Sequence, residues 1–404
     1  VAKRDSALNV LVITGAGASA NLGVDDTALP MMGGWADDLI PRLGYAAGQL
    51  GLAPNTDGPT FEQIIGRFLN FSRSLPAVEA LGFMGEMTNL LGNTPGSSGG
   101  NFLAWQSTAR TNIESLNQQL WESLWRNFGR RRVDGKKAGA AYGALHDLIR
   151  ESRGEDGSPC YIAHVTTNFD PAIEMAIGVS TYPSTEPLDG FAASTGYGRP
   201  RWAPNLLTTG RANSDGRIPV VHIHGAVGWY FDPDDENVIQ RRPSDDDFDP
   251  RLSPALLLPD DTKRPDLFPV PLIQVWEQFQ ILLREATHVF VMGHSLHDTY
   301  LVNAIKDAAK PTAVMSLGSR ITSESTVAEE RKNRLAAAKL GDQGSAKDAL
   351  AYILEGQWVL RDRSEADRIR QAIPDAVVIP GAFGSGEPGG DFDTAAFTKW
   401  IDRN

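Results

Sequence analysis

The stretch N-V-L-V-I-T-G-A-G-A-S, residues 9–19, constrains this chain more than any other. Its apolar, β-branched run over 10–14 stops abruptly at Gly15-Ala16-Gly17-Ala18-Ser19. A short apolar run without polar alternation reads as a parallel strand covered on both faces, here entering a tight turn and then a helix. Glycine at 15 and 17 removes the Cβ atoms that would hold a pyrophosphate off the backbone. The N–H groups at the helix start would then face the phosphates. The turn does not spell G-x-G-x-x-G, because Ala20 occupies the third glycine position. Two glycines in a strand-to-helix turn are a weak signal alone. Their weight comes from three later strand ends that carry polar residues in comparable places.

The first of these ends follows a strand over 161–166 (Y-I-A-H-V-T) and reads Thr167-Asn168-Phe169-Asp170-Pro171. Asp170 fits an N-cap and Pro171 the first position of a helix running to 177. Asn168 is not needed for that cap, and it sits where open α/β sheets present ligand contacts. The second end follows 218–223 (I-P-V-V-H-I) and reads His224-Gly225. The two-residue period puts His222 on the same side of the sheet, one pleat deeper, as a hydrogen-bonded core residue. His224, beside the cleft, points to chemistry. The third end follows 288–292 (H-V-F-V-M) and reads Gly293-His294-Ser295-Leu296-His297-Asp298. Ser295 with Asp298 three residues on fits a capping box opening a helix over 299–309. A capped helix start is also an anion site, so the capping and ligand readings coexist.

Further strands are expected at 312–317 and 375–380, and helices at 271–285, 325–340, 346–354 and 394–401. The region 51–155 has a different texture. Apolar residues recur at helical spacing over 61–69, 102–128 and 138–149, with a flexible G-N-T-P-G-S-S-G-G connection at 92–100. A helix is also expected over 35–50. Trp105, Trp121 and Trp125 read as core or interface residues. Arg130-Arg131-Arg132 with Lys136-Lys137 reads as a solvated loop. Residues 180–218 are loop-rich, and the acidic stretch 231–268 matches no metal loop and reads as solvated loops. The expected architecture is α/β: a doubly wound parallel Rossmann-like sheet built from 1–50 and 156–404, with 51–155 as an inserted helical subdomain.

Composition narrows the function classes. Across 404 residues, 41% hydrophobic and 22% charged residues support a sizeable globular core. The net charge of −12 argues against a broad nucleic-acid surface. The single Cys160 excludes a disulfide framework and a zinc site built on several cysteines. No apolar run approaches the ~18–20 residues of a membrane helix, and no secretory pattern precedes the first strand. A soluble, cytoplasmic protein is the expectation.

Taken in order, Gly15-Ala16-Gly17-Ala18-Ser19, Thr167-Asn168-Phe169-Asp170, His224-Gly225 and Gly293-His294-Ser295 with Asp298 resemble the strand-end motifs of the sirtuin superfamily. The resemblance touches about two dozen residues yet spans most of the chain. It implies NAD as the ligand, with Gly15, Ala16, Gly17 and Ser19 at the pyrophosphate. It implies that Asn168 places the nicotinamide ribose and the attacking water, with Asp170 nearby. His224 becomes the general base beside Gly225, and Gly293, Ser295 and Asp298 lie against the phosphate–ribose side. One cysteine cannot build the four-cysteine zinc ribbon of the deacylases, so no zinc is expected. The G-[YH]-S-x-x-D form of 293–298 is similar to bacterial sirtuin-like NAD hydrolases of anti-phage defence. Those deplete NAD and act as homo-oligomers or beside a partner such as a helicase/ATPase or an Argonaute. The same assembly is implied for this chain, with no direct nucleic-acid contact of its own and no membrane.

The chemistry this set suits is cleavage of the nicotinamide–ribose bond through an oxocarbenium-like state. Asn168 offers an amide that both donates and accepts, and His224 titrates near neutrality at an ordinary pKa of ~6.5. Two alternatives stay open: a non-catalytic sensor of NAD or ADP-ribose, and an NAD-dependent protein deacylase, which the missing cysteines disfavour. A hydride-transferring dehydrogenase would show the third glycine and an acidic residue ~20 positions on, followed by a strand.

Overall fold

The computed structural model describes residues 8–26, 29, 122–151, 160–179, 187–192, 200–207, 217–232, 239–241, 254–257, 265, 268–296, 298–316, 368–380 and 394–402. The helices expected at 35–50, 325–340 and 346–354, and the 51–121 part of the expected insertion, lie outside the described residues.

The glycine-terminated run forms β1 (Leu8–Thr14), and the turn after it forms the short α1 (Ala16–Ser19). α2 (Gly135–Glu151), β2 (Cys160–Thr166) and α3 (Ala172–Val179) follow. Three two-residue strands come next: β3 (Pro187–Leu188), β4 (Phe191–Ala192) and β5 (Arg201–Trp202). Then come β6 (Ile218–His222), β7 (Gly225–Phe231), β8 (Ile239–Arg241) and β9 (Pro254–Leu256). The chain continues with α4 (Val270–Glu285), β10 (His288–Met292) and α5 (Thr299–Ala308). β11 (Thr312–Ser316), β12 (Val377–Pro380) and α6 (Thr394–Ile401) follow, and short 3-10 turns lie at Val24–Asp26, Arg130–Arg132 and Pro204–Leu207.

Seven strands form one parallel sheet in the order β12-β11-β10-β1-β2-β6-β3. β1 lies between β10 and β2, so the chain winds outward in both directions from it. This is the doubly wound, Rossmann-like α/β class expected from the alternation of strands and helices. The register is level at the carboxyl edge: Thr14 pairs with Met292 on one side and Thr166 on the other, and Thr166 pairs with His222. Four strands therefore end together, and their following turns converge.

The pleat divides the core in two. Leu11 and Ile13 face α4, where Leu272, Val275, Phe279 and Leu282 are buried with them. Val10 and Val12 face the other way, toward Ala138, Tyr142 and Leu145 of α2, Ile173 and Ile177 of α3, and Phe397 and Trp400 of α6. Alternate residues of one strand thus serve two cores, which is why β1 has no polar face. α2 lies inside the 51–155 stretch of the sequence, yet its apolar stripe is packed into this second core beside α3.

A second, antiparallel sheet was not expected. Its order is β4-β5-β8-β7-β9, and it fills part of the stretches read as loops. β7 starts directly after His224, where the preceding strand was expected to end with no further strand, and β8 and β9 occupy part of the acidic stretch read as solvated. Asp232 is correspondingly 1% exposed and accepts from Arg201 Nη2 at 2.9 Å. Trp202, Trp229 and Phe191 stack edge to edge against the first core. Short segments with little alternation form strands here because tryptophan burial, rather than pattern, holds them.

One polar seam interrupts the second core. His164 on β2 and His146 on α2 meet at 2.8 Å between their Nε2 atoms, one donating and the other accepting. Tyr142 packs edge-on against His164 at 5.6 Å. Burial holds the His164 pKa down at about 3 and drives that of His146 well below the ordinary value.

Two measurements follow from this packing. A Cβ at Gly293, where φ is +62°, would fall inside contact distance of Ala18 N, whereas one at Gly143 on α2 meets nothing. Gly293→Ala is expected to lower stability in urea unfolding by about 3 kcal/mol, and Gly143→Ala to raise it by ~0.5–1 kcal/mol. His164 stays neutral when folded down to about pH 3, while an unfolded chain protonates it below ~6.5. Stability is therefore full above about pH 6.5 and declines by about 1.4 kcal/mol per pH unit on acidification, with His146 adding to the slope. Unfolding monitored across pH should show a shallower acid limb in His164→Gln.

Candidate functional site

The turns after β1, β2, β6 and β10 meet at the carboxyl edge, either side of β1, where the winding direction reverses. Backbone bonds tie two of them together. Gly15 N donates to Met292 O at 3.0 Å and Gly17 N to Gly293 O at 2.9 Å. Ala18 N donates back to Gly15 O at 2.9 Å. A Cβ on Gly15 would lie 2.7 Å from the Gly293 carbonyl oxygen, and one on Gly17 would lie 3.1 Å from it. Gly15 is thus required by the approach of the β10 turn, and Gly17 sits tightly against it, a packing reason distinct from the phosphate clearance expected. Ala16, at the head of α1, is the exposed residue of this turn.

Asn168 is clamped across the gap between β1 and β2. Its Nδ2 donates to the Gly15 carbonyl at 3.0 Å and to Ser19 Oγ at 2.9 Å. Because a carbonyl only accepts, the amide nitrogen must face Gly15, which fixes the orientation of the side chain. Its Oδ1 is left buried with no partner among the described residues, in a residue only 7% exposed. The backbone is held as firmly: Asn168 N donates to Thr166 Oγ1 at 3.0 Å. His222 Nδ1 donates to Asn168 O at 2.8 Å.

Ser19 Oγ donates in turn to Asp170 Oδ1 at 3.1 Å, and that carboxylate oxygen also accepts from Ala172 N at 3.1 Å. Asp170 therefore caps α3, as its sequence position predicts, while reaching across to α1. Burial raises its pKa, partly offset by the Ala172 N–H, Ser19 and His222.

His224 stands in the two-residue corner between β6 in the parallel sheet and β7 in the antiparallel one. It is 4% exposed, and its Nε2 donates to Asp298 Oδ2 at 3.2 Å. Leu257 N donates to its carbonyl at 2.8 Å. The corner is sharp enough that Gly225 takes φ +76° against the Ala255 carbonyl. Gly225 is needed for the turn that presents His224, whatever else it touches. The period-two expectation that His222 shares the side of His224 ends at this corner. His222 faces Asn168 and Glu174 instead, in the hydrogen-bonded core role expected of it.

The capping box expected between Ser295 and Asp298 does not form. Asp298 is itself the N-cap of α5, with Oδ1 accepting from Leu301 N at 3.0 Å. Leu296 takes the left-handed conformation, φ +55°, and its N–H donates to His294 Nδ1 at 2.9 Å. That turn separates Ser295 from the helix start and leaves it exposed. Asp298 instead spends one oxygen on the helix and the other on His224.

All the expected site residues lie on these four turns, and side-chain bonds gather six of them into two groups, while Gly17 and Gly293 meet through the backbone and Ala16, Gly225 and Ser295 stand outside both groups. Gly15, Ser19, Asn168 and Asp170 form one, and His224 with Asp298 forms the other. Glu174 was missed. Its carboxylate Oε1 lies 2.7 Å from His222 Nε2, and burial, which disfavours charge on the ring, is outweighed by Glu174 and the Asn168 carbonyl, so the His222 pKa is raised. The signal was present: Glu174 is the lone charge in A-I-E-M-A-I-G-V, a helix otherwise apolar. Among the described residues no cluster of His, Cys, Asp and Glu could hold a metal ion, and no helix is long and apolar enough to cross a membrane.

No protein-family model matches the chain, and no curated protein matches it. Solved structures do. A crystal structure of a Sir2 homolog–NAD complex is similar at 14% identity over 79% of this chain and 82% of that one, with a TM-score of 0.32. A structure described as the structural basis for the mechanism and regulation of Sir2 enzymes is similar at 14% identity over 89% and 95%, with a TM-score of 0.33. The α/β doubly wound assignment stands on the strand order and register of this chain's own sheet.

Proposed function

We propose that this chain is an NAD glycohydrolase, cleaving NAD with water to nicotinamide and ADP-ribose. The observation that carries the reading is Asn168: a side chain locked by two bonds on one side, with a buried, unpartnered acceptor on the other. A buried acceptor without a partner at a strand-end crevice is a place made for a ligand's donor. A ribose hydroxyl or a water supplies that donor, and the partial negative charge of Oδ1 favours a sugar ring developing positive charge. The exposed head of α1 at Ala16 is left for the phosphates.

The reaction breaks the C1′–N bond, and the neutral nicotinamide leaves with the electron pair. Water adds its oxygen to C1′ and gives up a proton. His224 takes that proton: with Asp298 accepting from Nε2–H, its Nδ1 carries the basic lone pair. Asp298 fixes this tautomer and stabilises the imidazolium that forms. Binding holds the ribose against Asn168 so that the attack is effectively unimolecular. The form of 293–298 extends the reading to an NAD-depleting effector of anti-phage defence, active in a homo-oligomer or with a partner protein.

Nicotinamide and ADP-ribose released by the purified chain, measured by chromatography across protein concentration without acyl peptide, test this. His224→Ala and Asn168→Ala should each lose at least about a hundredfold in turnover while keeping the fold. Asp298→Asn should lower turnover, and Asp298→Ala should also lower the melting temperature, because it removes the α5 cap. NAD binding with no turnover under any assembly condition would convert the reading to a sensor.

A further inference from the structure

We propose that the Glu174–His222 pair is a positioning device that holds Asn168 in working geometry by keeping a proton between His222 Nε2 and Glu174 Oε1. Its kinetic consequence rests on the hydrolase reading. Its geometry does not.

Three groups converge on the His222 ring. The Asn168 carbonyl lies 2.8 Å from Nδ1, Glu174 on α3 lies 2.7 Å from Nε2, and Trp229 on β7 presents its ring at 5.6 Å. Asp170, in the loop before α3, adds a more distant negative charge. The carbonyl oxygen can only accept, so Nδ1 must carry hydrogen. Nε2 then faces a carboxylate oxygen at hydrogen-bond distance, and two lone pairs cannot oppose each other there. A proton therefore lies between them. The ring is fully buried while the Glu174 side chain is 19% exposed, so the pair exchanges that proton with solvent from the Glu174 side.

Losing the proton to solvent leaves one ring hydrogen for two acceptors. Either Nδ1 keeps it and Nε2 opposes the carboxylate, or Nε2 takes it and Nδ1 opposes the Asn168 carbonyl. The carboxylate is the stronger acceptor, so the hydrogen moves to it and the hold on residue 168 is lost. Asn168 then retains its side-chain bonds to Gly15 and Ser19, and with them the sense of its amide, but loses the bond that pins its main chain in place. The direction of the His222 shift is upward, as Glu174 and the Asn168 carbonyl favour the protonated ring against the opposing effect of burial. His222 is thus a positioning residue that acts through Asn168.

Substituting Glu174→Gln separates this from a plain ion pair. A glutamine amide N–H donates to Nε2, so a neutral ring keeps Nδ1–H on Asn168 with no extra proton. His222→Asn keeps a donor near the Nδ1 position, whereas His222→Leu removes it. The experiment measures kcat and KM for NAD on the full chain from about pH 5 to about pH 10, with the histidine nitrogen-15 resonances followed alongside. In the wild type, kcat should fall on the alkaline side in step with the His222 titration while KM changes little. Glu174→Gln should retain kcat within about threefold at neutral pH and lose that alkaline limb. His222→Leu should lose about tenfold or more in kcat, with His222→Asn recovering most of it. A neutral, Nε2-protonated His222 in the wild type at neutral pH overturns the proposal. So does an alkaline limb unchanged in Glu174→Gln. If the wild type cleaves no NAD, the hydrolase reading fails alone. The resonances still decide the pair, which requires a doubly protonated ring in the wild type and an Nδ1-protonated ring in Glu174→Gln.

Discussion

The closure of the β10 turn onto the β1 turn is the contact on which the carboxyl edge depends. It is made of backbone against backbone, with Gly15 and Gly17 donating to Met292 and Gly293. Side chains cannot enter: Gly293 sits at φ +62° against Ala18, and Gly15 faces the Gly293 carbonyl. This seam brings the α1 turn and the 293–298 turn to one place. The Gly15 carbonyl, fixed by the seam, becomes an acceptor for Asn168, and Ser19 becomes the bridge to Asp170. A rigid main-chain frame of this kind places a site more finely than long side chains do, because it has few rotamers to select among.

From that frame the polar groups are arranged in a chain of single-purpose contacts. Asp170 caps α3 and accepts from Ser19, and Asp298 caps α5 and accepts from His224. In both cases one carboxylate oxygen meets a helix N-terminus, which stabilises its charge, while the carboxylate also fixes a second side chain, Ser19 or His224. Capping a helix and holding a side chain across the edge are therefore not alternatives at these positions. His222 continues the pattern on the buried side, with Asn168 at one nitrogen and Glu174 at the other.

The longer strands of the parallel sheet were readable because their buried runs are mostly apolar on both faces, whereas the two-residue β3 fell in a stretch read as loop-rich. The observed β2, β6, β10 and β11 agree with their expected positions to within a residue at either end, and β1 ends where expected but begins two residues earlier. The antiparallel sheet was not readable. β4 and β5 have two residues each, too few for a period, and β7 contains two glycines at positive φ and a register shift against β9. What holds these strands is Trp202, Trp229 and Phe191 packing together across sequence gaps, a signal that no local window carries. Likewise, α2 read as part of an inserted helical subdomain with no partner assigned, since periodicity tells which stripe is apolar and not what covers it.

The sequence by itself determined that four apolar strands end in turns bearing Gly15, Asn168, His224 and Gly293, and that Asp170 caps a helix. These follow from local rules of pleat, turn and cap. Tertiary structure alone decided the pairings: Asn168 to Gly15 and Ser19, His224 to Asp298, and His222 to Glu174. It also decided that Ser295 stays outside the cap, because Leu296 turns the chain left-handed before α5 begins. Each of these pairings except His224–Asp298 depends on which strands lie side by side, and sheet order is set by the packing of whole helices onto both faces. Local pattern names the groups that meet at the edge; only the assembled sheet determines which of them touch.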